Sequence, residues 1–160
     1  DVVRLEPLKK FEPIEDLIVD RRVLYENLKT VRAWLEHDAE IQENVLETVY
    51  EASRCLQCGC CLEVCPNFLP GGTFTGMASA VPMARLLVGL SAAENKQTAA
   101  LYRKHIYNGC GKSLACQAVC PAGIAADRLL VKSNAAAVWG APMKNSVPAV
   151  RTQSSCQENC

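Results

Sequence analysis

Apolar residues recur along this chain at helical spacing and alternate almost nowhere. From Asp20, a good N-cap, the residues Val23, Leu24, Leu28, Val31 and Leu35 fall on one face and predict a helix running to about His37. A second face, Ile41, Val45, Val49 and Ala52, leads directly into Cys55. A third helix has Pro82 near its start and carries Met83, Leu86, Leu87 and Leu90 on one side. A fourth spans about 95–107 and ends at "NGC", where Gly109 can supply a left-handed cap. The alanine-rich stretch 125–138 predicts a fifth. The glycine-rich segment "LPGGTFTG" reads as a loop. Before Asp20, "VVRL" alternates weakly, then Pro7 and Pro13 break any helix, so 1–19 read as an extended connector. From Gly140, Pro142, Pro148 and mostly polar residues predict an irregular tail over 140–160. The fold class is all-α, with the helical domain over 20–139.

Composition changes this picture in one respect. The 160 residues suffice for one compact domain, and 17 Lys+Arg balance 17 Asp+Glu, which leaves no electrostatic footprint for a nucleic-acid partner. Ten cysteines, however, are far above ordinary usage. Eight of them crowd into "CLQCGCCLEVCP" and "CGKSLACQAVCP", and the first twenty residues are charged, without the apolar core of a signal peptide. A secreted disulfide scaffold would spread its cysteines among loops. The expectation is a reducing compartment and metal-ligating thiols. The uncharged run between Glu63 and Arg85 contains Pro66, Pro70, Gly71, Gly72, Gly76 and Pro82, which argues against a membrane-spanning helix. The first residue is Asp rather than Met, as expected of a processed or trimmed chain or one piece of something longer.

The first cluster reads Cys55-x2-Cys58-x2-Cys61-x3-Cys65-Pro66. Three thiolates at two-residue intervals can hold three corners of an iron–sulfur cube from one loop. In two-cluster ferredoxins the fourth cysteine, starting the next helix, serves the other cluster, and the following proline pre-sets that helix's first turn. Structural zinc is the alternative, but zinc sites rarely use three such thiols with a trailing Cys-Pro.

The second motif repeats the frame as Cys110-x2-Ser113-x2-Cys116-x3-Cys120-Pro121. Applying the crossover to both copies assigns Cys55, Cys58, Cys61 and Cys120 to one 4Fe–4S cluster, and Cys65, Cys110 and Cys116 to the other. Ser113 then faces the fourth corner as a non-ligand, because a protonated hydroxyl is a poor partner for iron beside soft thiolates. Three thiolates suit a 3Fe–4S cluster; the alternative is a 4Fe–4S cluster with water or Ser113 on the last iron. The two motifs are related by a pseudo-twofold, as in an α-helical ferredoxin domain. Two clusters in one small domain are close enough for electron transfer. There is no base-oriented nucleophile, and Gly109-Cys110-Gly111-Lys112-Ser113 does not meet the P-loop frame, so the chain reads as a wire without a substrate site of its own.

Other candidates have plainer readings. Cys60 is out of frame and reads as a small hydrophobe beside the cluster. Cys156 and Cys160 read as unpaired thiols on a mobile end. His37 and His105 read as surface or satisfied residues, Trp34 and Trp139 as packing or interface residues, and alanines 135–137 as suited to close helix packing.

At this point the residues resemble a known family. A full "CxxCxxCxxxCP" followed by a "CxxxxxCxxxCP" resembles the C-terminal domain of the iron–sulfur subunit of succinate dehydrogenase and fumarate reductase. The segment "PLKKFEPIEDLIVDRRVLYENLKTVRAWL" is similar to that family's approach to a helix ending in tryptophan, here Trp34, and "CLEVCPNF" and "CGKSLACQAVCPAGI" look most like the menaquinone-linked style. The resemblance covers about residues 3–130. It implies a flavoprotein subunit that oxidises succinate or reduces fumarate, with electrons passing through 2Fe–2S, 4Fe–4S and 3Fe–4S clusters to a quinone at a membrane anchor. It implies the same cluster ligands as the spacing does, with Pro66 and Lys112 in the quinone pocket wall. It also implies a peripheral location, on the cytoplasmic face of a bacterial membrane or the matrix side of the mitochondrial inner membrane.

Two departures stand out. The family's N-terminal ferredoxin domain, with its C-x4-C-x2-C pattern, is missing, as in a fragment or in subunits split between two polypeptides in some protists. Ubiquinone-type members also carry a Trp and a His where Pro70 and Gly111 stand here. The rival readings are the electron-transfer module of another flavoenzyme, heterodisulfide-reductase-like or glycolate-oxidase-like, and a zinc-stabilised interaction module. The first usually carries two full four-cysteine motifs, which Ser113 argues against.

Overall fold

The computed structural model describes residues 2–36, 38, 43–90 and 95–139. His37, Ile41, the tail 140–160 and with it Cys156 and Cys160 lie outside the described residues.

The centre of the fold is the most apolar stretch. "MASAVPMARLLVG" forms helix α4 (Met77–Gly89), buried on nearly every side, as a helix apolar all round must be. Around it pack α2 (Leu46–Ser53), α5 (Asn95–Tyr102), α7 (Ala126–Asn134) and, at one end, α1 (Arg22–Thr30). A 3-10 turn, Glu43–Val45, leads into α2; π-helical turns extend α5 through Arg103–Tyr107 and α7 through Ala135–Trp139. Two short helices, α3 (Cys60–Glu63) and α6 (Ala115–Ala118), lie within the cysteine motifs and touch each other. The Tyr102 hydroxyl donates to Asn134 Oδ1 at 2.8 Å and joins α5 to α7 inside the core.

The fold is all-α, with one small addition. Strands β1 (Pro13–Glu15) and β2 (Ile18–Val19) form an antiparallel hairpin across a turn in which Asp16 has φ +47°. Just before it, Phe11 is buried with Leu24, Leu62, Phe68 and Ala78 in a second, smaller core. The N-terminal arm is thereby packed against the first cysteine motif.

Four local expectations are corrected. Helix α1 stops at Thr30 instead of continuing to about residue 37. Arg32 takes φ +50°, its N–H bonds to the Lys29 carbonyl at 3.1 Å, and the Ala33 N–H bonds to the Leu28 carbonyl at 3.1 Å. That is a Schellman ending with arginine in the place glycine usually takes. Pro82 lies inside α4, because the helix already starts at Met77. Gly109 has no positive φ; it is glycine because a Cβ there would meet the Phe74 ring at 2.5 Å. Cys65 starts no helix: Pro66 enters a turn closed by the Phe68 N–H on the Cys65 carbonyl at 3.3 Å, the position where proline's fixed φ suits a turn.

Candidate metal-cluster sites

The two cysteine motifs share more than their spacing. Cys55, Cys58, Cys61, Cys65 and Pro66 stand 55 residues before Cys110, Ser113, Cys116, Cys120 and Pro121. The same offset relates the backbone. Gln57 (φ +50°) and Gly59 (φ +86°) correspond to Lys112 (φ +56°) and Leu114 (φ +57°), all in the left-handed region. In the first copy the Leu62 and Glu63 N–H groups bond to the Gly59 carbonyl; in the second, the Gln117 and Ala118 N–H groups bond to the Leu114 carbonyl. Side chains rarely adopt this conformation, which costs about 1–3 kcal/mol and persists where surrounding structure enforces it. Gln57, Lys112 and Leu114 all accept it inside the motifs.

Packing of α3 against α6 then brings thiols from both copies together. One cavity is lined by Cys55, Cys58, Cys61 and Cys120, with Met77, Ala78, Val81, Ile124 and Ala126 as its apolar floor. The other is lined by Cys65, Cys110, Cys116 and Ser113, with Pro66 and Lys112 on its wall. The two cavities are of equal size, so the repeat holds in size as well as in lining. Met77 and Cys116 line both cavities and form the partition between them. The cysteines are half-buried, whereas Pro66, Lys112 and Ser113 on the second cavity's wall are exposed, as are Leu56 and Pro121 on the first's.

Burial makes these sites costly for bare thiolates. It pushes the Cys61 thiol up to about 12, with neighbouring Cys55, Cys58, Cys116 and Cys120 adding to the shift. Burial also raises Cys55, partly offset by the N–H groups of Gln57, and it raises Cys116, partly offset by the backbone N–H of Gln117. A coordinated metal reverses that logic and deprotonates a thiol outright. The eight cysteines among the described residues are free. No three His, Cys, Asp or Glu among the described residues converge as the shell of a single ion. The thiols surround a space instead of a point, a donor set of soft ligands that fits a polynuclear iron–sulfur group.

Several residues that spacing did not reveal hold the loops in place. The Arg54 guanidinium donates to the Ala122 carbonyl at 2.7 Å, and Asn67 Nδ2 donates to the Gly109 carbonyl at 2.7 Å, so each motif is tied to the other. Lys10 donates to the Cys65 and Leu62 carbonyls, and Arg21 to the Gln57 carbonyl. Gln57 Nε2 donates to Cys55 Sγ at 3.3 Å and to the Ala78 carbonyl at 2.9 Å. Only their adjacency to cysteine, for Arg54, Gln57 and Asn67, could have flagged any of them. Cys60 is half-buried and lines neither cavity. His105 is buried, with Nδ1 at 2.9 Å from the Thr73 carbonyl, while Trp34 and Trp139 are about half exposed. Ala137 is buried against the main core.

Comparison with known proteins agrees with this chemistry. The family model described as a 4Fe-4S dicluster domain matches residues 51–124. The chain is 34% identical over 132 residues to the succinate dehydrogenase iron–sulfur subunit of Bacillus subtilis, covering 76% of this chain and 52% of that protein. It is 30% identical over 135 residues to the fumarate reductase iron–sulfur subunit of Wolinella succinogenes, covering 75% and 55%. It is 31% identical over 131 residues to an iron–sulfur protein of Methanocaldococcus jannaschii, covering 76% of this chain and 25% of that protein. The chain thus spans about half the length of the first two relatives.

Proposed function

We propose, for a chain whose dicluster domain is homologous to the C-terminal domain of the succinate dehydrogenase and fumarate reductase iron–sulfur subunits, that it carries electrons through two unlike clusters to a quinone. Cys55, Cys58, Cys61 and Cys120 hold a 4Fe–4S cluster, and Cys65, Cys110 and Cys116 hold a 3Fe–4S cluster beside Ser113. When bound, the clusters supply one-electron redox chemistry. The rest is the work of this chain's residues. Thiols from both motifs stand at the contact of α3 with α6, Met77 and Cys116 separate the two sites, and apolar side chains floor both. The exposed Pro66 and Lys112 offer the rim of the second site to menaquinone. The partners in this reading are a flavoprotein subunit, a 2Fe–2S ferredoxin domain on the same or a separate chain, and a membrane anchor. No described helix is long and apolar enough to cross a membrane; the reading places the chain at the membrane through its anchor, on the cytoplasmic or matrix side.

The observation that carries this reading is Ser113 in a cavity with Cys65, Cys110 and Cys116, set against Cys55, Cys58, Cys61 and Cys120 in the other, with Cys116 shared between the two. An oxidised 3Fe–4S cluster is paramagnetic and an oxidised 4Fe–4S cluster of the ordinary low-potential type is silent. The anaerobically isolated, oxidised protein is therefore expected to give an electron paramagnetic resonance signal, and Ser113→Cys is expected to abolish it while raising iron content. A cluster-replete protein that is silent when oxidised would overturn the 3Fe–4S assignment. Zinc without iron or sulfide would overturn the cluster reading altogether.

A further inference from the structure

We propose that Gln57 is a positioning residue that sets the potential of the first cluster, by directing an N–H at Cys55 Sγ from an amide whose orientation helix α4 fixes through Pro82. The inference rests on the cluster assignment above.

In an α-helix the carbonyl of residue i accepts from the N–H of residue i+4. Pro82 has no N–H, so the Ala78 carbonyl in the first turn of α4 lacks its ordinary partner. Gln57 Nε2 takes that place at 2.9 Å, and its second N–H is directed to Cys55 Sγ at 3.3 Å. A flipped amide would set Oε1 against the Ala78 carbonyl, two acceptors facing each other, so the helix dictates which end of the amide meets the sulfur. Gln57 Oε1 is buried without a hydrogen bond, so the nitrogen's contacts alone hold the group there. The backbone is held as well, in the left-handed region at φ +50°, with the Arg21 guanidinium on the Gln57 carbonyl.

The other motif lacks this device. Lys112 occupies the equivalent position with φ +56°, but its ammonium lies over the Tyr107 ring, 5.8 Å from the centroid. One frame therefore carries a side-chain donor to cysteine sulfur at the first site and a cation–π contact at the second. An N–H on a ligating sulfur favours the more electron-rich, reduced state, so hydrogen bonds to sulfur raise cluster potentials. Gln57 makes the first cluster easier to reduce than its thiolates and apolar floor alone would.

The test is a redox titration of the anaerobic, cluster-loaded chain, followed by electron paramagnetic resonance, with resonance Raman of the Fe–S(Cys) modes in H₂O and D₂O. Gln57→Leu is expected to lower the reduction equilibrium constant of the first cluster by about tenfold, about 59 mV for one electron. It is expected to leave the second cluster's potential in place and to remove part of the deuterium shift. Pro82→Ala restores a backbone donor to the Ala78 carbonyl and loosens the amide. It shifts the potential in the same direction without altering the cluster loop, and carries the test if Gln57→Leu does not load. Unchanged potentials and deuterium shifts in the loaded variants would overturn the role of Gln57 while leaving the cluster assignment standing. A wild-type chain that takes up no iron and sulfide would overturn both.

Discussion

Gly76 marks where the loop after the first motif turns into α4, with φ +74°. A Cβ at this position would stand 2.3 Å from Leu62 Cδ2, and Leu62 is fully buried, so neither group has room to withdraw. For Gly76→Ala, left-handed backbone costs about 1–2 kcal/mol, and displacing Leu62 adds about 1–3 kcal/mol. The stiffer unfolded chain returns about 0.4–1 kcal/mol. The net loss is about 1–5 kcal/mol from these terms. Gly71 supplies the control: its φ is also +74°, but nothing lies within 4 Å of its added Cβ. Gly71→Ala therefore bears the backbone term without the collision, and the difference between the variants isolates about 1–3 kcal/mol of packing. At about 2–4 °C per kcal/mol for a chain of this size, Gly76→Ala should melt about 2–12 °C below Gly71→Ala. Anaerobic calorimetry of the cluster-loaded proteins at one scan rate measures this. Equal midpoints would refute the argument that contact with Leu62 requires glycine at residue 76.

Other consequences can be checked in the same way. Cys120→Ser, although in the second motif, is expected to disturb the spectrum of the first cluster. Cys65→Ser, in the first motif, is expected to disturb the second; spectroscopy showing the uncrossed pattern would contradict the assignment. Tyr102→Phe leaves buried Asn134 Oδ1 without its donor and should cost about 1–3 kcal/mol in thermal unfolding. Burial also holds the Tyr102 phenol above its ordinary range. Because the folded value is raised, that contribution is whole below about pH 10 and is lost as pH rises toward the folded value. The phenylalanine variant should therefore show a shallower alkaline decline of the melting midpoint than the wild type.

Much of the helical layout is legible in the chain because it depends on neighbours in sequence. Of the face Val45, Val49, Ala52, the last two lie in α2 and Val45 ends the 3-10 turn that leads into it; the segments near 95–107 and 125–138 appear as α5 and α7 with their π-helical extensions. The misreadings have a common cause. Val31 and Leu35 continue the helical period past Thr30, but the Schellman turn at Arg32 breaks the helix, and arginine carries no local signal for that. Pro82 reads as a helix start because the donor that lets it sit inside α4 comes from Gln57, a distant part of the chain. The hairpin at 13–19 was hidden because its strands are too short for alternation to register.

The sites divide along the same line. Spacing alone determined which residues carry the thiols, that Ser113 replaces one of them, and that the motif recurs, since these are properties of short windows of sequence. The motif rule already predicted that Cys120 joins the first site and Cys65 the second; only the tertiary structure decided that Met77 and Cys116 stand between the two cavities and that the Gln57 amide faces sulfur. Each of those facts depends on how α3, α4 and α6 pack. Helical period and motif spacing constrain each segment, but the side of a neighbouring segment that it meets is set by core packing across the whole domain.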